Sequence, residues 1–117
     1  MMRLHFRQES TTQAAARFLK LRGGRMSYMK LIKLLYLADR KALLELGRPI
    51  THDRFVSMKH GPVLSQTYDL IVAEEAPDQA PSYWRAYISE PEQYEVALRR
   101  DAPNGDLSRA QEAIINE

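Results

Sequence analysis

The chain has 117 residues, 44% hydrophobic and 27% charged, with no cysteine and a formal net charge of +2. That size and balance suit one soluble domain over 1–117, and the lack of cysteine excludes disulfides and thiolate metal sites. No stretch approaches the ~18 apolar residues of a membrane span, and "MMRLHFRQES" lacks a signal peptide's apolar core, so a cytoplasmic location is expected.

Leu4 and Phe6 alternate as in a brief strand. Ser10, Thr11 or Thr12 can then cap a helix, and Ser10-x-x-Gln13 has capping-box spacing. The helix runs through "QAAARFLKL", with Ala14, Phe18 and Leu21 on one face, and Gly23-Gly24 stops it. Ser27 starts a second helix, "YMKLIKLLYLADRKALLEL", and Gly47 with Pro49 ends it. Nineteen residues span about 28 Å at 1.5 Å each. This helix is apolar on most sides, which predicts a central position, and Lys30, Lys33, Arg40 and Lys41 gather on the remaining side.

"RPITHDRFVSMKHGP" reads as extended chain, with a turn at Thr51-His52-Asp53 and a short strand over 54–59. Gly61-Pro62 is expected to open a third helix carrying Val63, Leu64, Tyr68, Leu70, Ile71 and Val72, since proline is tolerated at a first helical position. "EEAPDQAP" is a polar loop, and "SYWRAYIS" is too aromatic for a linker; Tyr83 and Trp84 read as packing residues rather than interface anchors. "YEVALRR" alternates as a half-buried strand and is expected to pair with residues 54–59. After the turn "APNGD", Ser108-x-x-Gln111 offers another capping box, and Ala110, Ala113 and Ile114 form a stripe on a last helix with no stop signal. The expected architecture is mainly α with a small antiparallel sheet, a compact single domain around the long central helix.

Net charge conceals an asymmetry. Residues 1–60 hold 13 Lys and Arg against 4 Asp and Glu, net +9; residues 61–117 hold 4 against 11, net −7. Either the halves attract each other across the fold, or the surface is dipolar and steers a charged partner. Nucleic acid is disfavoured as that partner, because aromatics do not interleave with the basic positions.

Asp39 is the most informative residue. Its helical neighbours Ile32, Leu35, Tyr36, Ala42, Leu43 and Leu46 lie beside or along one face, so a carboxylate sits on the apolar side. A buried carboxylate requires a partner: a basic side chain, a tyrosine hydroxyl, or amides at a helix start such as Gly61-Pro62-Val63. A structural tether is favoured over acid–base catalysis. His5, His52 and His60 lack metal-ligand spacing, so no metal or cofactor site is expected. His60, beside Gly61, is read as a local hydrogen-bonding group, a partner contact or a base, in that order. The cationic stripe is either a solvated face or part of a partner-binding face. The contact candidates are Lys30, Lys33, Arg40, Lys59, His60 and Gly61.

"KLIKLLYLADR", the step Gly47-Arg48-Pro49-Ile50, and "KHGPV" leading into "YDLI" occur in order at suitable spacing. Together they resemble the Panacea domain, the SocA-like antitoxin family that includes phage-associated GepA-like proteins. The resemblance covers about residues 10–75, and "LSRAQEAIIN" looks like the start of the family's late helix. It implies a non-enzymatic module that binds and neutralises a cognate toxin. It also implies, as an alternative, an adaptor delivering the toxin to a ClpXP-type protease. A nucleic-acid-binding autoregulator is a further alternative, supported only by the basic first half of the chain. Family members carry further helical sequence beyond this stop, and an apolar stripe exposed on a shortened helix would drive homodimerisation.

Overall fold

The computed structural model describes residues 6–58, 61–73 and 80–116, with residues 58 and 62 described in backbone only. The first helix, α1 (Gln8–Leu21), starts earlier than its cap signals suggest. Thr11 and Thr12 lie inside it and donate back to the carbonyls of Arg7 (2.6 Å) and Gln8 (2.8 Å). Ser10 donates to the Asp106 carbonyl (3.1 Å), and Gln13 Nε2 donates to Asp106 Oδ2 (2.7 Å) and to the Tyr83 hydroxyl (3.0 Å). The expected box is therefore a buried polar strip bonded to distant segments. Ala14 and Phe18 reach the core as expected, joined by Ala15 and Leu19, whereas Leu21 is half exposed. Gly23 and Gly24 stop α1 at φ +86° and +91°, where a side chain would be strained, and the Gly24 amide closes on the Leu19 carbonyl (2.6 Å).

Strand β1 (Arg25–Ser27) follows and leads into α2 (Tyr28–Leu46). Ser27 Oγ caps α2 by accepting from the Lys30 amide (3.4 Å), and Gly47 ends it at φ +80°. Helix α2 touches α1 and β1 as well as three later elements, β3 (Gly61–Leu64), α3 (Ser65–Val72) and α5 (Arg109–Asn116). It is the central helix, and Leu31, Ile32, Leu35, Ala38 and Ala42 join the main core. Trp84 and Ile88, in and just after α4 (Tyr83–Tyr87), also join it, with Trp84 fully buried.

Strand pairing departs from expectation in two places. Residues 61–64 are not the start of a helix: β3 pairs antiparallel with β2 (Phe55–Met58), Phe55 opposite Leu64 and Met58 opposite Gly61. Proline is admissible there because both strands of a two-stranded sheet are edges. The helix begins only at Ser65. β4 (Glu95–Ala97) pairs not with residues 54–59 but with β1, Met26 opposite Val96. Three residues after a glycine stop are too short to announce a strand, so this partner was invisible locally. The fold is mainly α with two small antiparallel sheets.

Distant side chains finish several helices. Asp53 caps α3, accepting from the amides of Gln66 (3.0 Å) and Thr67 (2.8 Å) and from the Thr67 hydroxyl (2.7 Å). Buried Arg85 closes the other end of α3, its Nη2 donating to the carbonyls of Leu70, Ile71 and Ala73 (3.3, 3.2 and 2.9 Å), where the helix dipole favours a cation. In α5 the capping box forms as the spacing predicts: Ser108 Oγ accepts from the Gln111 amide and Gln111 Oε1 from the Ser108 amide. Its buried stripe is Gln111, Ile114 and Ile115; Ala110 and Ala113 are exposed, contrary to expectation.

Candidate functional site

Helix α2 separates a buried acid from an exposed cationic face. Asp39 is 8% exposed, among Ile32, Leu35 and Ala42, although Leu43 and Leu46 of its expected apolar surround reach solvent. Its partners are neither a base nor a helix start. Oδ1 accepts from the amides of Ile50 (2.9 Å) and Thr51 (3.0 Å), and Oδ2 from the Thr51 hydroxyl (2.5 Å). The extended chain after Gly47 turns back along α2 and offers its amides, so the acid and its donors are separated by only 11 and 12 positions. Burial raises the Asp39 pKa above its ordinary value; the Thr51 hydroxyl and the two amides pull it back, and the Asp53 charge adds to the rise.

The fold brings His52 into the electrostatic range of Asp39, which sequence spacing did not reveal. Its backbone has φ +54°, and its Nδ1 is buried without a hydrogen-bond partner. Burial lowers its pKa, and Arg7 and Arg48 lower it further against the opposing pull of Asp39. No hydrogen bond joins the imidazole to the carboxylate among the described residues, since the three donors to Asp39 are those of Ile50 and Thr51.

The opposite side of α2 is open. Lys33, Leu37, Arg40 and Leu44 follow one another at i, i+4, i+7 and i+11, the spacing of a single helical stripe, with Lys30 and Met29 alongside. All six are exposed; Leu37 is 48% and Leu44 82% accessible. Lys41, half-buried, lies at the margin of this stripe. On one flank Tyr36 meets Phe55 of β2 edge-on at 5.5 Å, and Phe55 and Val56 are themselves exposed. The cations were legible as a stripe; the leucines among them were not, because an apolar residue on an apolar helix reads as core.

Both salt bridges among the described residues join the basic half of the chain to the acidic half: Lys20 to Asp101 (3.5 Å) and Arg25 to Glu95 (2.9 Å). The two halves thus attract each other beside α1 and β1. Among the described residues, no such pair engages Lys30, Lys33 or Arg40. Gly61 belongs to β3, at φ +113°, and Lys59 and His60 lie outside the described residues.

A family model described as "Antitoxin SocA-like, Panacea domain" matches residues 31–117. The chain belongs to the SocA-like antitoxin family. The match takes in most of α2 and everything after it, and so includes Asp39, its Ile50 and Thr51 donors and the outer leucines. No curated protein and no solved structure matches this SocA-like chain. An antitoxin-type role follows from membership, and with it a toxin as the general class of partner. Among the described residues, no helix of this SocA-like domain is long and apolar enough to cross a membrane, and no group of three acidic or histidine side chains is arranged to hold a metal ion.

Proposed function

We propose that this domain neutralises a cognate toxin by direct binding, without catalysis, and that the outer face of α2 is its contact surface. The observation that carries the reading is a helix face whose cations Lys30, Lys33 and Arg40 form no ion pair among the described residues, on a chain of an antitoxin family. The state of Asp39 supports a non-catalytic role: the carboxylate is buried and both oxygens are committed to backbone and threonine donors, as befits a tether. Lys30, Lys33 and Arg40 are the contact residues of this reading, with Lys59, His60 and Gly61 as a second group.

The test is co-expression with the product of the adjacent reading frame. Relief of growth arrest together with co-purification supports neutralisation by binding; arrest that persists with no complex sinks it. Lys30→Glu with Lys33→Glu should weaken the complex and leave the circular dichroism spectrum unchanged. Relief accompanied by a shortened toxin half-life, dependent on a ClpXP-type protease, would replace occlusion by delivery. A gel shift that weakens steeply with salt would replace it by operator binding.

A further inference from the structure

An exposed leucine is unremarkable alone, but the arrangement on α2 is not a scatter of single residues. Leu37 and Leu44 stand two turns apart on one line, and the residues between and beside them on that line are Lys33, Arg40 and Lys30. From Lys30 to Leu44 the line runs about 21 Å. Acids on α2 do not interrupt it: Asp39 is on the buried side, and Glu45 is displaced around the helix from Leu44. Tyr36, Phe55 and Val56 extend the apolar surface to one side. Lys20 and Arg25 find second-half carboxylates; among the described residues, Lys30, Lys33 and Arg40 pair with none.

We propose that this face takes an acidic amphipathic helix of the partner, whose apolar residues cover Leu37 and Leu44 and whose carboxylates meet Lys30, Lys33 and Arg40. The inference rests on the toxin-binding reading and adds the chemistry of the partner's contact segment. Two physical facts select that chemistry. A straight helical ridge of apolar residues at i and i+7 is matched by another helix with apolar residues at helical spacing. A rim of one sign excludes a basic partner, because like charges brought together at an interface cost several-fold to many-fold in affinity. A second copy of this chain would bring the same cations against themselves if it paired through the same face.

The experiment uses the full chain and two labelled 18-residue helical peptides that present the same leucine stripe, one flanked by glutamates and the other by lysines. Fluorescence anisotropy should show the glutamate peptide binding, the lysine peptide binding at least tenfold more weakly, and the difference shrinking as salt shortens the Debye length below about 10 Å. Leu37→Ala and Leu44→Ala should each cost about tenfold, the range expected for withdrawing one leucine from a buried contact. Neither side chain is in the core, so both variants should melt as the wild type does.

Equal binding of the two peptides, binding of neither, or indifference to both leucine substitutions overturns the proposal. So does a dimer of the wild type in sedimentation that Leu44→Glu dissolves, which assigns the face to a second copy. Failure of this surface is distinguishable from failure of the toxin-binding reading. If the wild type co-purifies with the neighbouring toxin and the Leu37→Glu, Leu44→Glu double variant does so equally well, the domain binds its toxin through another surface. If the wild type fails to co-purify, the neutralisation reading falls whatever the peptides do.

Discussion

Replacing Asp39 with alanine removes the acceptor of three donors at once: the amides of Ile50 and Thr51 and the Thr51 hydroxyl. Each buried donor left without an acceptor costs about 1–3 kcal/mol. The two amides share one oxygen and the vacated volume is small, so partial relaxation reduces the sum to about 3–5 kcal/mol, in the range for breaking a buried charged contact. Asp39→Asn keeps one oxygen for the amides and presents a donor to Thr51 Oγ1, so about 1–2 kcal/mol is expected. Urea denaturation at pH 7, followed by circular dichroism, separates the two, since a domain of this size has only ~5–15 kcal/mol to lose. An alanine variant within 1 kcal/mol of wild type, on the order of the smallest single hydrogen-bond effect, would refute the tether. The pH dependence has a defined sign. With the native pKa raised above its ordinary 3.8, the folded state holds this proton more tightly than the unfolded chain. The stabilisation from that linkage is therefore complete below 3.8 and is lost as pH rises through the native value. The stability of wild type minus that of Asp39→Asn should fall across that window.

His52 titrates in the opposite sense. Its pKa is lowered by burial, so its contribution is complete above 6.5 and is lost as pH falls through the native value; His52→Asn should flatten that acid-side loss in denaturation curves. Asparagine also tolerates the φ of +54°, so the variant should not lose stability at pH 7. Asp53→Ala uncaps α3 from outside and should cost about 1–2 kcal/mol, with faster amide exchange at Gln66 and Thr67 than elsewhere in the helix. Arg85→Met removes three carbonyl contacts at the other end of α3 and should cost about 2–4 kcal/mol, read from the shift in thermal midpoint.

Signals that act over a few residues were legible in the sequence. Ser27, Gly47, Gly23-Gly24 and the Ser108–Gln111 box each depend on neighbours within one turn, and all do what their spacing predicts. The burial of Asp39 was legible too, because helical periodicity sets the face on which a residue lies. Its partners were not, since nothing within α2 says that the chain after Gly47 turns back to offer the amides of Ile50 and Thr51. Asp53 capping a helix that starts 12 positions later, Arg85 closing the end of that helix, and β1 pairing with β4 are all tertiary facts of the same kind. At residues 61–64 the local rule pointed the wrong way. Glycine, proline and an apolar run suit a helix start and an edge strand equally, and pairing with Phe55–Met58 decides between them.

The buried acid and the exposed stripe are mechanically connected. Asp39 holds Ile50 and Thr51; Thr51 Oγ1 accepts from the Asp53 amide (3.0 Å), and Asp53 holds the start of α3. The chain between these anchors leads directly into β2, whose Phe55 packs against Tyr36 at the flank of the leucine line. Asp39 thus fixes where β2 stands relative to the outer face of α2, without touching that face. A surface held in place before contact binds more tightly than one that must be ordered on contact, because ordering each side chain costs about 0.5–1.5 kcal/mol. Two variants separate this effect from general destabilisation. Asp39→Asn, which keeps the amide acceptor, should bind the glutamate peptide as the wild type does. Asp39→Ala, assayed at a temperature where its melting curve shows it fully folded, should bind several-fold more weakly. If the folded alanine variant binds with wild-type affinity, the β2–β3 pair is positioned by its contacts with α2 alone, and the acid serves stability without shaping the face.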